Sequence, residues 1–448
     1  RTSDSMTRAD ACSNRPDSTA SRRRRYAVVG TGSRVVMFLD AIAGDYRRTS
    51  ELVGLCDISP ARMQWPNRRL REQFDLPAVP AFSDAQFERM PEVGRPGVVI
   101  VTHVDALHQD YVVRAMQRGC DVICEKPLTT TLEGLRAIFS AIGQTRRQLR
   151  VSFNYRYAPH TTLVRDLIQR GAIGRPLAVD LQWVLDTSHG ADYFRRWHAE
   201  MDLSGGLLVH KATHHFDMVN WWLGSVPQRV FAMGDLRFYG PAGLGRSLPR
   251  AAFAFDWSKY PDQDQLYRGQ ALVDSGYQRD RDVFGEHVSI PDTMAVTTRY
   301  RNGVIFNYSL QAYSPWEGFR AAVTGAHGRL ELFSRHGSHI LTATGDAALA
   351  ARQSAGEETR LTLFPMFESP RDVPIPHAEG AHGGGDPVML EQIFSENFPP
   401  DPFGRWAGPI DGAASALLGI AANESIRTGL PVDIDPILDN LSHSLGHG

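Results

Sequence analysis

The sequence predicts an α/β protein: a doubly wound parallel sheet near the N-terminus, then an α+β domain on a large, mainly antiparallel open sheet. Three observations predict it. Apolar, β-branched runs at 26–29, 52–56, 97–101 and 121–124 alternate with amphipathic stretches of helical length, as strands joined by crossover helices do. Residues 293–300 and 304–312 alternate apolar with polar around Arg301-Asn302-Gly303, an antiparallel hairpin with an Asn-Gly turn. Residues 177–185, 229–238 and 328–332 read as further strands of that sheet. Finally, 448 residues exceed what one core ordinarily organises. The expected division is a disordered leader at 1–21, a nucleotide-binding domain at 22–150 and a second domain at 151–448, with a polar, aromatic-containing insertion at about 240–291.

Composition narrows the partners. The chain is 42% hydrophobic and 22% charged, with a net charge of −2. That is the balance of a soluble globular protein, with no basic excess for nucleic acid or an anionic membrane surface. No run approaches the ~18 apolar residues of a membrane span. The basic stretch 22–25 superficially suggests a twin-arginine export signal, but Gly30, Gly32 and Arg34 interrupt the apolar run behind it, so it reads as a basic collar before the first strand. Cys12, Cys56, Cys120 and Cys124 have no metal-ligand spacing. Cys120 and Cys124 bracket a strand, which favours reduced thiols and a cytoplasmic protein. Of the 48 basic residues only Lys126, Lys211 and Lys259 are lysines. Where arginine is so strongly preferred, a surviving lysine suggests a need for a compact ammonium of adjustable pKa.

The first strand runs into Gly30-Thr31-Gly32-Ser33-Arg34 and then an amphipathic stretch. Gly30 permits a tight turn, and Gly32 lets the backbone approach a pyrophosphate at the helix N-terminus. The third glycine of the dinucleotide fingerprint would be residue 35, which is valine, so this turn alone is equally compatible with no nucleotide. The next strand ends in Asp57, an acid placed to accept hydrogen bonds from a ribose and to repel a 2′-phosphate. The pair predicts a Rossmann domain that takes NAD rather than NADP. Arg62 leaves some room for NADP, and capping of the helix near Pro60 is the alternative role for Asp57. Glu125 and Lys126 follow another strand, where charge is unusual unless it faces a ligand.

The segments Thr102-His103-Val104-Asp105-Ala106-Leu107-His108, Glu125-Lys126-Pro127 after its strand, Asn154-Tyr155-Arg156-Tyr157-Ala158-Pro159 and Gly171-Ala172-Ile173-Gly174-Arg175-Pro176-Leu177 resemble the Gfo/Idh/MocA oxidoreductases, in family order, over about residues 26–435. The resemblance implies NAD-dependent chemistry on a carbohydrate or cyclitol, and cofactor contacts from Ser33, Arg34, His103, Asp105, His108, Glu125, Lys126 and Asn154 in addition to the residues above. It also implies a homodimer or homotetramer formed through the open sheet.

Residues 205–217, from Gly205-Gly206 through His210-Lys211 to His214-His215-Phe216-Asp217, align without gaps to the family's GG-x-x-x-D-x-G-x-H-x-x-D. The family histidine falls on His214 and its second acid on Asp217; its first acid is replaced by His210 and its glycine by Ala212. The spacing predicts one helix with 210, 214 and 217 on a single face. Oxidising a hydroxyl requires a base near neutrality, which suits histidine, and an ammonium suits the developing alkoxide. Lys126 and His214 are therefore expected to form the acid–base pair, with His210 and Lys211 binding or polarising the substrate. With His210 in place of the acid, the base His214 is expected to lose a carboxylate that would raise its pKa.

Tyr155, Arg156, Trp197, His215, Asp217 and His382 are the remaining expected substrate contacts. His215 is equally compatible with a polar place on the helix surface, and Trp221-Trp222 favours core over a sugar platform. His210 and His214 have zinc-helix spacing, but Lys211 holds the position of the catalytic Glu, so no metal is expected. The glycines of His382-Gly383-Gly384-Gly385-Asp386 suit either close approach to a partner or a turn capped by Asp386. The aromatics of the insertion, among them Tyr267, Tyr277 and His287, suit a lid or a surface excursion.

The function expected is NAD-dependent oxidation, or the reverse reduction, of a secondary hydroxyl on a sugar, glycoside or cyclitol. The resemblance favours a glycoside, with C3 as the attractive position. A redox-neutral glycosidase working through a keto-sugar is the first alternative, and a non-catalytic NAD-binding regulator the second.

Overall fold

The computed structural model describes residues 23–339, 357–378 and 381–446; the expected leader at 1–21 lies outside them. Six strands form the first sheet: β1 (Arg24–Val29), β2 (Ser50–Cys56), β3 (Ala81–Phe82), β4 (Val98–Val101), β5 (Asp121–Cys124) and β6 (Leu149–Val151). Their order is β3-β2-β1-β4-β5-β6, parallel at every pairing. Helices cover both faces, so Val98–Val101 is buried at every position, as a central parallel strand must be. The order reverses between β1 and β4, which opens a crevice at their carboxyl ends.

The second sheet has nine strands: β7 (Pro176–Asp186), β8 (Pro227–Asp235), β9 (Thr293–Tyr300), β10 (Ile305–Ser314), β11 (Glu317–Gly325), β12 (Gly328–Gly337), β13 (Glu358–Pro365), β14 (Arg371–Val373) and β15 (Val432–Asp433). The order is β14-β13-β12-β11-β7-β10-β9-β8-β15, and only the β7–β10 pair is parallel. The predicted hairpin is β9–β10, with Ile305 opposite Arg299. Alternate residues of β9 are buried, the pattern of a sheet with one covered face.

Helices Ala212–Leu223 and Pro409–Thr428 pack together, and the latter lies against β8. Trp221 and Trp222 are core, their indole N–H groups donating to the carbonyls of Phe403 and Thr161. The chain also returns to the first domain: helix Asp435–Gly446 lies on helix Leu132–Thr145.

Two expectations change here. Arg156 and Asp217 do not reach a substrate. Both are buried, and the guanidinium donates to both Asp217 oxygens, at 2.7 and 2.5 Å, and to Asp411 Oδ1 at 2.8 Å. This ties the link between the domains to helices Ala212–Leu223 and Pro409–Thr428. The glycines at 383–385 bring the chain against itself. Gly383 and Gly384 have positive φ, and a Cβ on Gly385 would meet the Asn154 carbonyl oxygen at 2.4 Å. Asp386 accepts from the buried Asn154 amide at 2.6 Å, so Asn154 faces this contact rather than a cofactor. The side chain of His382 is outside those the structure describes.

Removing one partner from a buried ion pair strands the other charge. Asp217→Ala is expected to cost about 3–5 kcal/mol in urea unfolding, while the dissociation constant for NAD stays within about threefold of wild type.

Candidate active site

A cleft of ≈660 Å³ opens at the carboxyl ends of β1, β2, β4 and β5, walled opposite by residues 189–214 and by the insertion. A groove of similar size between helices Leu132–Thr145 and Asp435–Gly446 carries one charged side chain, Arg136, and no acid–base pair, so the chemistry belongs to the cleft.

The glycine turn forms one end of it. Gly30 has φ +87°, and a Cβ there would lie 2.7 Å from the His103 nitrogen. Gly32 must be bare for a different reason: the hydroxyl of Tyr267, from the insertion, would sit 2.9 Å from its Cβ. Val35, in place of the third glycine, is buried in the core of the first domain. Asp57 follows β2 with both oxygens engaged. Oδ2 accepts from Thr31 N–H at 2.7 Å and Thr31 Oγ1 at 3.0 Å; Oδ1 accepts from Ser59 N–H at 2.9 Å and Arg62 Nη1 at 3.1 Å. The helix cap is Ser59, not Asp57: its hydroxyl accepts from the Arg62 N–H.

The loop after β4 supplies His103, Asp105 and His108. His108 spans two carbonyls, Pro127 at 2.7 Å and His103 at 2.9 Å, and so joins this loop to the turn after β5. His103 lines the cleft, and burial lowers its pKa to about 4. Glu125 accepts from Arg34 Nε at 2.8 Å.

The catalytic end is built where the two domains meet. The single helix expected across 205–223 is broken at Lys211, between helices Leu207–His210 and Ala212–Leu223. The break lets His210, Lys211 and His214 all line the cleft while Asp217 turns away to Arg156. Lys126 Nζ donates to the His210 carbonyl at 2.8 Å. Burial lowers the Lys126 pKa to about 8, opposed by the Asp105 carboxylate. Asp105 reaches across from the first domain, and its Oδ2 lies 2.5 Å from His210 Nδ1. Burial, reinforced by the Lys126 charge, holds the His210 pKa well below its usual value, so the ring is neutral at physiological pH. Burial also raises the Asp105 pKa well above its usual value, so Asp105 and His210 Nδ1 hold one proton between them.

The remaining wall is aromatic and basic. His214 lies between the rings of Tyr155 and Phe153, at centroid distances of 5.2 and 6.2 Å. Lys211 Nζ sits 5.3 Å over the Trp183 ring, and burial lowers its pKa against the opposing effect of Glu317. Trp197 lines the cleft as expected and stacks on His198 at 3.6 Å.

Tyr155 and His215 do not reach the cleft. Tyr155 packs edge-on to Trp183 behind His214, and His215 is wholly buried, stacked on Trp183 at 3.7 Å and hydrogen-bonded to the Tyr308 hydroxyl. Sequence reasoning missed Tyr193 and His198, whose only signal was the aromatic and basic run 193–198. It also missed the link from Asp105 to His210, which no spacing encodes.

A family model described as the NAD-binding Rossmann fold of an oxidoreductase family matches residues 24–153, and one described as its C-terminal alpha/beta domain matches 165–434. The chain belongs to the Gfo/Idh/MocA oxidoreductases. This oxidoreductase is 33% identical to a Bacillus subtilis protein named as an oxidoreductase, YteT, over 423 residues, 88% of this chain and 94% of that one. It is 29% identical to inositol 2-dehydrogenase of Rhizobium meliloti over 209 residues, 46% of this chain and 57% of that one. Its fold matches that of levoglucosan dehydrogenase in complex with NADH and L-sorbose with a TM-score of 0.63 at 18% identity, covering 92% of this chain and 99% of the other. The cofactor of the Rossmann domain is NAD, and the tight turn at Gly30 and Asp57 after β2, which line one cleft, fit a dinucleotide, while the Tyr267 hydroxyl takes the Ser33 N–H at the helix N-terminus.

Asp105 holds the orientation of His210, so Asp105→Asn is expected to lower kcat by about 10–100-fold, with NAD affinity and melting temperature near wild type. Steady-state kinetics beside a thermal melt checks it.

Proposed function

We propose that this oxidoreductase transfers hydride between NAD and a secondary hydroxyl of a sugar, glycoside or cyclitol. One observation carries the reading: Lys126, His210 with its Asp105 partner, Lys211 and His214 line the same cleft as Gly30, Gly32 and Asp57. Inositol and levoglucosan dehydrogenases among its relatives support a polyhydroxylated substrate. Bound NAD supplies the hydride acceptor. Gly30, Gly32, Ser33, Arg34 and Asp57 hold it from the first domain, with His103 and Glu125 lining the cleft beside them.

The chain's own residues manage the proton. Lys126, with its pKa brought to about 8, takes the hydroxyl proton as the carbon loses hydride and returns it in the reverse direction. His214 is the second member of this acid–base pair. His210, neutral and oriented by Asp105, hydrogen-bonds the substrate through Nε2, and Lys211 polarises a neighbouring oxygen. The Trp197 ring offers an apolar face to the sugar. Oxidation at C3 of a glycoside is the form to examine first, since a carbonyl there acidifies the adjacent C–H.

The test is incubation of the purified protein with NAD and a panel of glycosides and cyclitols. Stoichiometric NADH at 340 nm is the expected result. Aglycone released without net NADH would replace this reading by a redox-neutral bond cleavage, and silence across the panel would remove catalysis. Two further outcomes are expected. His214→Ala leaves NAD affinity within about threefold but lowers kcat by at least ~100-fold. Oxidation needs the free amine of Lys126, so kcat/KM rises with pH through about 8 while reduction falls through the same value; Lys126→Arg, charged at every accessible pH, loses both limbs.

A further inference from the structure

The insertion touches the first domain where a dinucleotide would lie. The Tyr267 hydroxyl accepts from the Ser33 N–H at 2.7 Å and donates to Ser33 Oγ at 3.2 Å. Helix Pro261–Tyr267 and helix Gln270–Ser275 both pack on helix Pro60–Phe74. At the start of that helix, Asp274 Oδ2 accepts from Ser59 Oγ at 2.8 Å and from the Ala61 N–H at 3.2 Å. Its other oxygen accepts from Gln270 at 2.8 Å.

These contacts fall beside Asp57, the residue that faces the adenosine ribose in a domain of this kind. A 2′-phosphate bound there would ordinarily draw on two things: free N–H groups in the first turn of the following helix, and a nearby arginine. Both are already engaged. Asp274 takes the Ser59 hydroxyl and the Ala61 N–H. Arg62 is 8% exposed, with Nη1 on Asp57, Nε on the Leu266 carbonyl at 3.2 Å and Nη2 on Ser275 Oγ at 2.8 Å. The room that Arg62 leaves for NADP in the sequence is closed in the structure, because its charge is turned onto Asp57 and the insertion. A phosphate would meet two carboxylates, Asp57 and Asp274, and no free cation from this turn.

We propose that the insertion completes the adenosine side of the cofactor site, and that Asp274 is a specificity-determining residue that excludes a 2′-phosphate. It goes beyond the hydroxyl-oxidation reading and does not depend on it, because the readout is binding without turnover. Selection is divided between two parts of the chain far apart in sequence: Asp57 in the first domain and Asp274 in the insertion. Tyr267 ties the insertion to Ser33, while Asp274 holds its own contacts with Ser59 and Ala61.

The test uses the full-length protein and measures dissociation constants for NAD⁺ and NADP⁺ by isothermal titration calorimetry, in low and moderate salt. Asp274→Asn keeps the shape and the acceptor oxygen and removes the charge. It is expected to tighten NADP⁺ at least about tenfold relative to NAD⁺, with the gain shrinking in salt. Tyr267→Phe, which loses the anchoring hydroxyl and keeps Asp274, is expected to weaken both dinucleotides in similar proportion. A NADP⁺/NAD⁺ ratio that moves less than tenfold in Asp274→Asn overturns the proposal, as does a Tyr267→Phe ratio that shifts as far as that of Asp274→Asn.

Discussion

Two ionisable groups of the first domain, Asp105 and Lys126, meet one residue of the second, His210, away from bulk water. Buried charge must be paired or hydrogen-bonded to be tolerated, and here the partners come from different domains. Asp105 takes the imidazole and Lys126 takes the backbone carbonyl of the same residue. Neither domain can satisfy these groups alone, so their requirement fixes how the loop after β4 and the turn after β5 sit against the break at Lys211. His108, bridging the carbonyls of His103 and Pro127, keeps the two first-domain segments together. The position of the catalytic groups relative to the glycine turn follows from this arrangement.

The fold was legible where local pattern and tertiary environment agree. β1, β2, β4 and β5 announced themselves as apolar runs because both faces are covered, and the β9–β10 hairpin because one face is covered and its turn is Asn-Gly. β11 was not read from Glu317–Gly325: it is buried at Gly318, Phe319, Ala321, Ala322 and Val323, which spoils a clean two-residue alternation. The two-residue β15 is set by its pairing with β8, information that exists only in three dimensions.

The site was legible by residue type more than by role. Lys126, His210, Lys211 and His214 converge as their chemistry suggested. Arg156 and Asp217 were misread for a physical reason. A charged pair inside a matched motif suggests ligand binding, but a buried guanidinium already donating to two carboxylates, Asp217 and Asp411, has little capacity left for a ligand. His215 was misread because a helix packed on every side hides its polar residues as fully as its apolar ones. Asp105 was placed in the cofactor loop, and its partnership with His210, 105 positions further along the chain, could not be seen from spacing.

The return of helix Asp435–Gly446 to the first domain changes what counts as a separable unit. The chain leaves that domain after β6, yet its last described helix lies along Leu132–Thr145 closely enough that a Cβ on Gly143 would meet the Ser444 carbonyl oxygen at 2.7 Å. Ile437 and Leu441 would lose their cover if the chain were cut near residue 150, and so would the apolar side of the helix they rest on. The nucleotide-binding half is thus a discontinuous body, finished by residues 435–446. Ribosomal synthesis must pass these residues before that half can close.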